Sequence, residues 1–274
     1  MRHGIKESRS IKPVRALQTG VGLCLLFALT GCLSSPTPQL AQASNSADGV
    51  GVLNVADAAI AGNDPQMALQ VSESVLASDP QNLQALYHEA ASYYALNRCE
   101  DATAAYQLAL KIDPTSSEAE TGIGRCLLQR DAAAAALTFA KAVRDDPHNA
   151  AAQNDLGIAF DLQGNYANAI GPYQQALLLA PGVIATEVNL GLSLALAGNG
   201  QDALQYLGPL ATSPEATPKI REDYAVALLS AGRRDEARQV LSIDLPPDQA
   251  QALLTGFTNI LARKVQMPAS QPSY

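Results

Sequence analysis

The 274-residue chain carries 18 Lys and Arg against 26 Asp and Glu, a net charge of −8 at neutral pH. That acidic balance excludes nucleic acid and anionic lipid surfaces as partner classes, because both are held by basic patches.

The first residues run against that balance. Arg2, Lys6, Arg9, Lys12 and Arg15 face one acid, Glu7, and the uncharged run VGLCLLFAL follows at 21–29. Such a run is too short for a membrane-spanning helix, which takes about 20 apolar residues. A basic start, a short apolar middle and a small-residue exit predict a secretory signal. The exit itself, Leu29-Thr30-Gly31-Cys32, resembles the bacterial lipobox. That resemblance implies a signal peptide over 1–31, cleavage before Cys32, a diacylglycerol on its sulfur and acylation of the new amino terminus. Each buried CH₂ adds about 0.8 kcal/mol, and two or more chains hold a protein at a bilayer where one does not. Leu33 stands where, in the enterobacterial sorting rule, an Asp retains the protein at the inner membrane. The resemblance therefore implies the periplasmic face of the outer membrane of a Gram-negative-type bacterium. The alternative is a membrane-anchored or secreted chain with an incidental Cys32. Loss of 1–31 leaves 13 basic and 25 acidic residues, a net charge of −12.

Residues 32–48 are rich in Ser, Pro, Gln and Asn, with no charge before Asp48. This composition cannot bury enough apolar surface to order itself and predicts a tether, with a reach of roughly 20–25 Å.

From residue 49 the chain repeats. Ala68, Ala102, Ala135, Ala169, Ala203 and Ala237 recur at intervals of 34 or 33. So do the small residues Ala56, Ala90, Gly124, Gly157, Gly191 and Ala225, and the turn formers Asn63, Asn97, Asp131, Gly164, Gly198 and Gly232. The one missing residue falls between Asp131 and Ala135. Small residues allow two helices to cross closely, and the turn formers sit where a helix must stop in a left-handed residue. Prolines at 80, 114, 147, 181 and 214 mark the end of each second helix. Between these marks the apolar spacing is helical: Leu86, Ala90 and Tyr93, then Ala102, Tyr106 and Ala109; or Leu156, Gly157 and Phe160, then Ala169, Tyr173 and Ala176. The pattern predicts an all-α chain of helix–turn–helix units at 49–82, 83–116, 117–149, 150–183, 184–217 and 218–246. The first unit is degenerate, and Gly208-Pro209 is expected to end or kink the second helix of the fifth. Ala250, Leu253, Phe257 and Ile260 predict a final helix within 247–266 that caps the last unit, with a disordered tail over 267–274.

The stretch LGIAFDLQGNYANAIGPYQQALLLAP resembles a tetratricopeptide repeat (TPR), although the usual Trp is absent. The resemblance implies a right-handed α-solenoid of about six repeats, 49–246, whose first helices line a concave groove. Mapped onto this chain, the groove positions are Tyr87, Ala91 and Tyr94; Thr121, Arg125 and Leu128; Asn154, Ile158 and Asp161; and Val188, Leu192 and Ala195. Such a mixed lining suits an extended or helical peptide, unless its apolar members only pack locally. Arg125 is the single cation among them, too few for a chaperone-type clamp on a C-terminal carboxylate. In a TPR stack Cys99 and Cys126 fall on neighbouring helices, so they either form a disulfide or remain two separate buried thiols.

No chemistry is expected. His88 and His148 have no ligand at metal spacing, and no phosphate loop or nucleophile arrangement is present. The expectation is a protein that is not an enzyme and takes no metal, cofactor or small-molecule substrate. A closer likeness runs from TEVNLGLSLALAGNGQDAL through ATPKIREDYAVALLSAGRRDEA to IDLPPDQAQALLTGFTNIL. These stretches resemble the TadD family of Tad (Flp) pilus assembly lipoproteins. The likeness implies a pilotin-like adaptor that binds the outer-membrane secretin or another assembly component. Alternatives are a pilotin of ordinary type IV pili, a scaffold for peptidoglycan enzymes, or a part of the outer-membrane protein insertion machinery.

Overall fold

The structure, a computed structural model, describes residues 46–265. The signal segment, Cys32 with most of the tether, and the tail from 267 lie outside the described residues. Those described form thirteen α-helices and no strand. They pair into six antiparallel hairpins and a closing helix. The first helices are α1 (Ser46–Ala61), α3 (Leu83–Ala95), α5 (Ser117–Leu127), α7 (Ala150–Leu162), α9 (Ile184–Leu196) and α11 (Pro218–Ser230). Their partners are α2 (Pro65–Ser78), α4 (Cys99–Ile112), α6 (Ala132–Asp145), α8 (Tyr166–Leu179), α10 (Gly200–Thr212) and α12 (Arg234–Leu241), and the closing helix is α13 (Pro247–Val265). Helix α1 opens at Ser46, inside the stretch read as tether.

Each hairpin turns where the sequence places a turn former. Asn63, Asn97, Gly164, Gly198 and Gly232 are left-handed, with φ between 58° and 94°. Asp131 is the exception. Its φ is −153°, and its side chain accepts a hydrogen bond from the Ala134 N–H as the cap of α6. The residue missing from this repeat is the left-handed one that directly precedes the cap elsewhere, as Asn63 precedes Asp64, so Asp131 takes the capping role and the turn is built from the three residues before it. Between hairpins, Asn82, Ser116, Asn149 and Thr217 each cap a first helix by accepting from the third backbone N–H beyond. Val183 holds the same place without a capping side chain.

The core lies inside and between hairpins. All six alanines of the first series are fully buried. Opposite the small first-helix residues stands a series of larger second-helix side chains: Tyr106, Phe139, Tyr173, Leu207 and Leu241, all buried. The fit is tight. A methyl added at Gly124 would lie 2.5 Å from the Phe139 ring, at Gly157 2.6 Å from the Tyr173 ring, and at Gly191 2.5 Å from Leu207. Tyr106 belongs to a repeat whose small residue is Ala90, and its ring reaches instead into the space left by Gly122 of the next repeat.

Pro209 does not end α10, which continues to Thr212. The proline is exposed, so the carbonyl it leaves unpaired faces solvent, while Ala203, Leu207 and Ala211 stay buried on the other face. Helix α13 packs on α11 and α12 and covers the last hairpin. Its buried stripe is Ala250 and Leu254, continued by Phe257 and Leu261. Ile260, expected on that face, is exposed.

Candidate binding groove

First helices pack on one another along the array, α1 on α3, α3 on α5, α5 on α7, α7 on α9 and α9 on α11. Second helices make no comparable contacts among the described residues. The first helices therefore occupy the shorter, inner arc, and the inner surface is theirs.

Five of the twelve expected groove positions, Tyr87, Thr121, Arg125, Asn154 and Asp161, are used in tying the array together. The Tyr87 hydroxyl lies 2.6 Å from Ser116 Oγ. Asn149 Nδ2 donates to Ser117 Oγ at 2.8 Å and to Thr121 Oγ1 at 3.3 Å. Arg125 Nε pairs with Asp155 Oδ2 at 2.5 Å, and Asn154 Nδ2 donates to the other oxygen of Asp155. Further along, Thr186 donates to Asn154 Oδ1, and Ser193 together with Tyr173 donates to Asp161. The Arg125–Asp155, Thr186–Asn154 and Ser193–Asp161 bonds cross from one repeat to the next. The Tyr87–Ser116 and Asn149 bonds tie a first helix to the residue that caps the following first helix, and Asn154–Asp155 and Tyr173–Asp161 stay within one hairpin. They form a polar seam down the inner face, where apolar packing alone would allow helices to slide.

The apolar positions divide differently. Ala195 is fully buried and offers no surface. Ile158, Val188 and Leu192 pack on the core of repeats four to six, and Leu128 on the core around Phe139. Tyr94 is the open aromatic, 39% exposed. Desolvation raises its hydroxyl above the ordinary tyrosine range, and the nearby Arg125 opposes that shift.

Between repeats two and four the inner face sinks into an open recess of about 610 Å³. Ala91, Thr121 and Arg125 line it, together with Ser116, Ser117, Glu118 and Asn149, which sequence reasoning missed. Asn82, Ser116, Asn149 and Thr217 recur at nearly the repeat period, a signal that would have found two of them. Asp113, Glu118 and Asp146 rim the recess. Its one cation, Arg125, is already neutralised by Asp155, which is 8% exposed, so the opening presents a negative surface. His88 is buried beside Gln84 and Asp57, and burial lowers its pKa. Among the described residues no three His, Cys, Asp or Glu side chains converge as a metal site.

With this geometry, residues 59–126 and 127–184 each match a tetratricopeptide-repeat family model. These are tetratricopeptide repeats. Solved TPR structures share the fold. The chain aligns with the Cut9–Hcn1 complex of the APC/C at a TM-score of 0.62, 19% identical, over 76% of this chain and 42% of that one. It aligns with YrrB, a TPR protein with an unusual peptide-binding site, at 0.55 and 18% identity, over 72% and 98%. A thermophilic TPR protein of Thermus thermophilus aligns at 0.54 and 20%, over 66% and 99%. Among curated proteins, the probable UDP-N-acetylglucosamine–peptide N-acetylglucosaminyltransferase SPINDLY of Hordeum vulgare is 34% identical over 117 residues, 40% of this chain and 12% of that protein. Its Arabidopsis thaliana counterpart is 38% identical over 85 residues, 31% and 9%. The chain thus spans about an eighth or less of the curated relatives it matches. The shared part is the repeat region, and repeats of this kind mediate protein–protein interaction.

Proposed function

We propose that this TPR solenoid is a non-catalytic adaptor. Its inner face, at repeats two to four, holds a segment of another polypeptide. The observation that carries this reading is the open recess beside Tyr94, polar and acid-rimmed on an otherwise closed inner seam. An aromatic platform and rim carboxylates with no Lys or Arg partner among the described residues suit a segment bearing Lys or Arg beside an apolar anchor.

The lipobox-like Cys32 and the TadD-like repeats support a finer reading. In it the protein is anchored by lipid at the periplasmic face of the outer membrane. It acts there as a pilotin-like partner of a pilus secretin or another Tad/Flp assembly component. A tethered groove meets a membrane-bound client at high effective concentration, so each contact can be weak.

Tyr94→Ala tests the groove, since a half-open ring can be removed without emptying the core. Co-purification of the secretin should fall at least tenfold, with the thermal midpoint within about 2 °C of wild type. Undiminished recovery of the secretin refutes the site. Cys32→Ser tests the anchor: the variant should leave the outer-membrane fraction, and its continued presence there refutes lipidation.

A further inference from the structure

Cys99 is the first residue of α4, and Cys126 lies in the last turn of α5. The pair therefore spans the junction between repeats two and three. Both thiols are free, Cys126 buried and Cys99 partly open. Cys99 packs against the core cluster to which Cys126 belongs, close enough for the two thiols to interact. Tyr94 lies close enough to feel both sulfurs as well as Arg125. Two thiols packed in one cluster, one open and one closed, near the groove aromatic, form a more specific arrangement than two cysteines dispersed in a core.

We propose that Cys99 and Cys126 are a closable dithiol. Oxidised by a disulfide donor, it staples α4 to α5 near Tyr94 and fixes the relative placement of the first helices that carry the groove. The open sulfur reacts first. Cys99 attacks the donor, forms a mixed disulfide and releases one donor thiol. Cys126 then displaces the second, so one S–S bond forms in the protein, two S–H bonds are lost and the donor leaves as two thiols. Burial and the adjoining Cys99 push the Cys126 thiol up to about 12, which leaves the first attack to the open sulfur of Cys99. The bond closes a loop of the chain that includes all of α4 and most of α5, which constrains the unfolded ensemble. Its coupling to the groove rests on the adaptor reading; the bond itself does not.

The test is a tryptic map of the full chain after incubation with oxidised glutathione, with dithiothreitol as the reduced control. Cleavage after Arg98, Lys111, Arg125 and Arg130 gives separate peptides 99–111 and 126–130. Oxidised protein should yield them joined and protected from alkylation, with a thermal midpoint about 5–10 °C above the reduced form. Cys99→Ser, at a partly open position, should fold and show no redox shift. Peptides that are separately alkylated or separately glutathionylated overturn the proposal, as does a joined pair without a thermal shift. A joined, shifted pair in a protein whose client binding ignores Tyr94→Ala upholds the staple and refutes the adaptor reading instead.

Discussion

Gly122 and Gly256 are both helical glycines, and replacing each by Ala should move stability in opposite directions. An exposed helix interior gains about 1 kcal/mol from Gly→Ala, because Ala loses less backbone freedom on folding. Gly256, exposed on α13, has nothing within 4 Å of an added methyl, so Gly256→Ala should gain close to that amount. At Gly122 the same methyl would lie 2.1 Å from two carbons of the Tyr106 ring. That ring is buried between two repeats and cannot swing into solvent. Overpacking of this kind costs about 1–3 kcal/mol, and so short an approach belongs at the upper end. After the propensity gain, Gly122→Ala should lose about 2 kcal/mol, a separation of about 3 kcal/mol between the two variants. Urea unfolding followed by far-UV circular dichroism reads the difference as a shift in midpoint at constant slope. If Gly122→Ala proves as stable as the parent, the interlocking of Tyr106 with the next repeat is refuted.

Arg125→Ala leaves Asp155 buried with only Asn154 as partner. Because the arginine is itself partly solvent-screened, the loss should be about 2 kcal/mol, and adding Asp155→Asn should recover more than half of it in a double-mutant cycle. Asp223 is buried, and desolvation raises its pKa against the opposing pull of Lys219. Between the ordinary aspartate value and that raised value the folded chain binds more protons than the unfolded one. Stability should therefore fall as pH rises through this window, and Asp223→Asn should flatten the dependence measured by urea midpoints from about pH 4 to pH 7.

The architecture was legible because its signals are local and recur. A left-handed turn, a small residue at a crossing and a proline after a helix each act within one hairpin, and six hairpins repeat them. The face of α13 was not, since Leu253 and Leu254 fit a helical stripe equally well until α11 and α12 are in place. Pro209 misled for a similar reason: whether a proline breaks a helix depends on which side of the core it faces. At the groove, family positions located the inner face but not its free surface. Thr121, Asn154 and Asp161 are polar residues on the right helices, yet their hydrogen-bond capacity goes to the neighbouring repeat. That partnership depends on Asn149, Thr186 and Ser193, distant by about one period in sequence.

The reach of Tyr106 into Gly122 gives the array a fixed order. Repeats of one length invite the idea of interchangeable parts, gained or lost by recombination without harm. Here, excising residues 83–116 would set Gly122 opposite Ser72 and leave a hollow. Excising 117–149 would drive the Tyr106 ring toward Asp155, a carboxylate that has just lost Arg125. Each module is keyed to its neighbour, so this lineage can lengthen or shorten only by changing lock and key together.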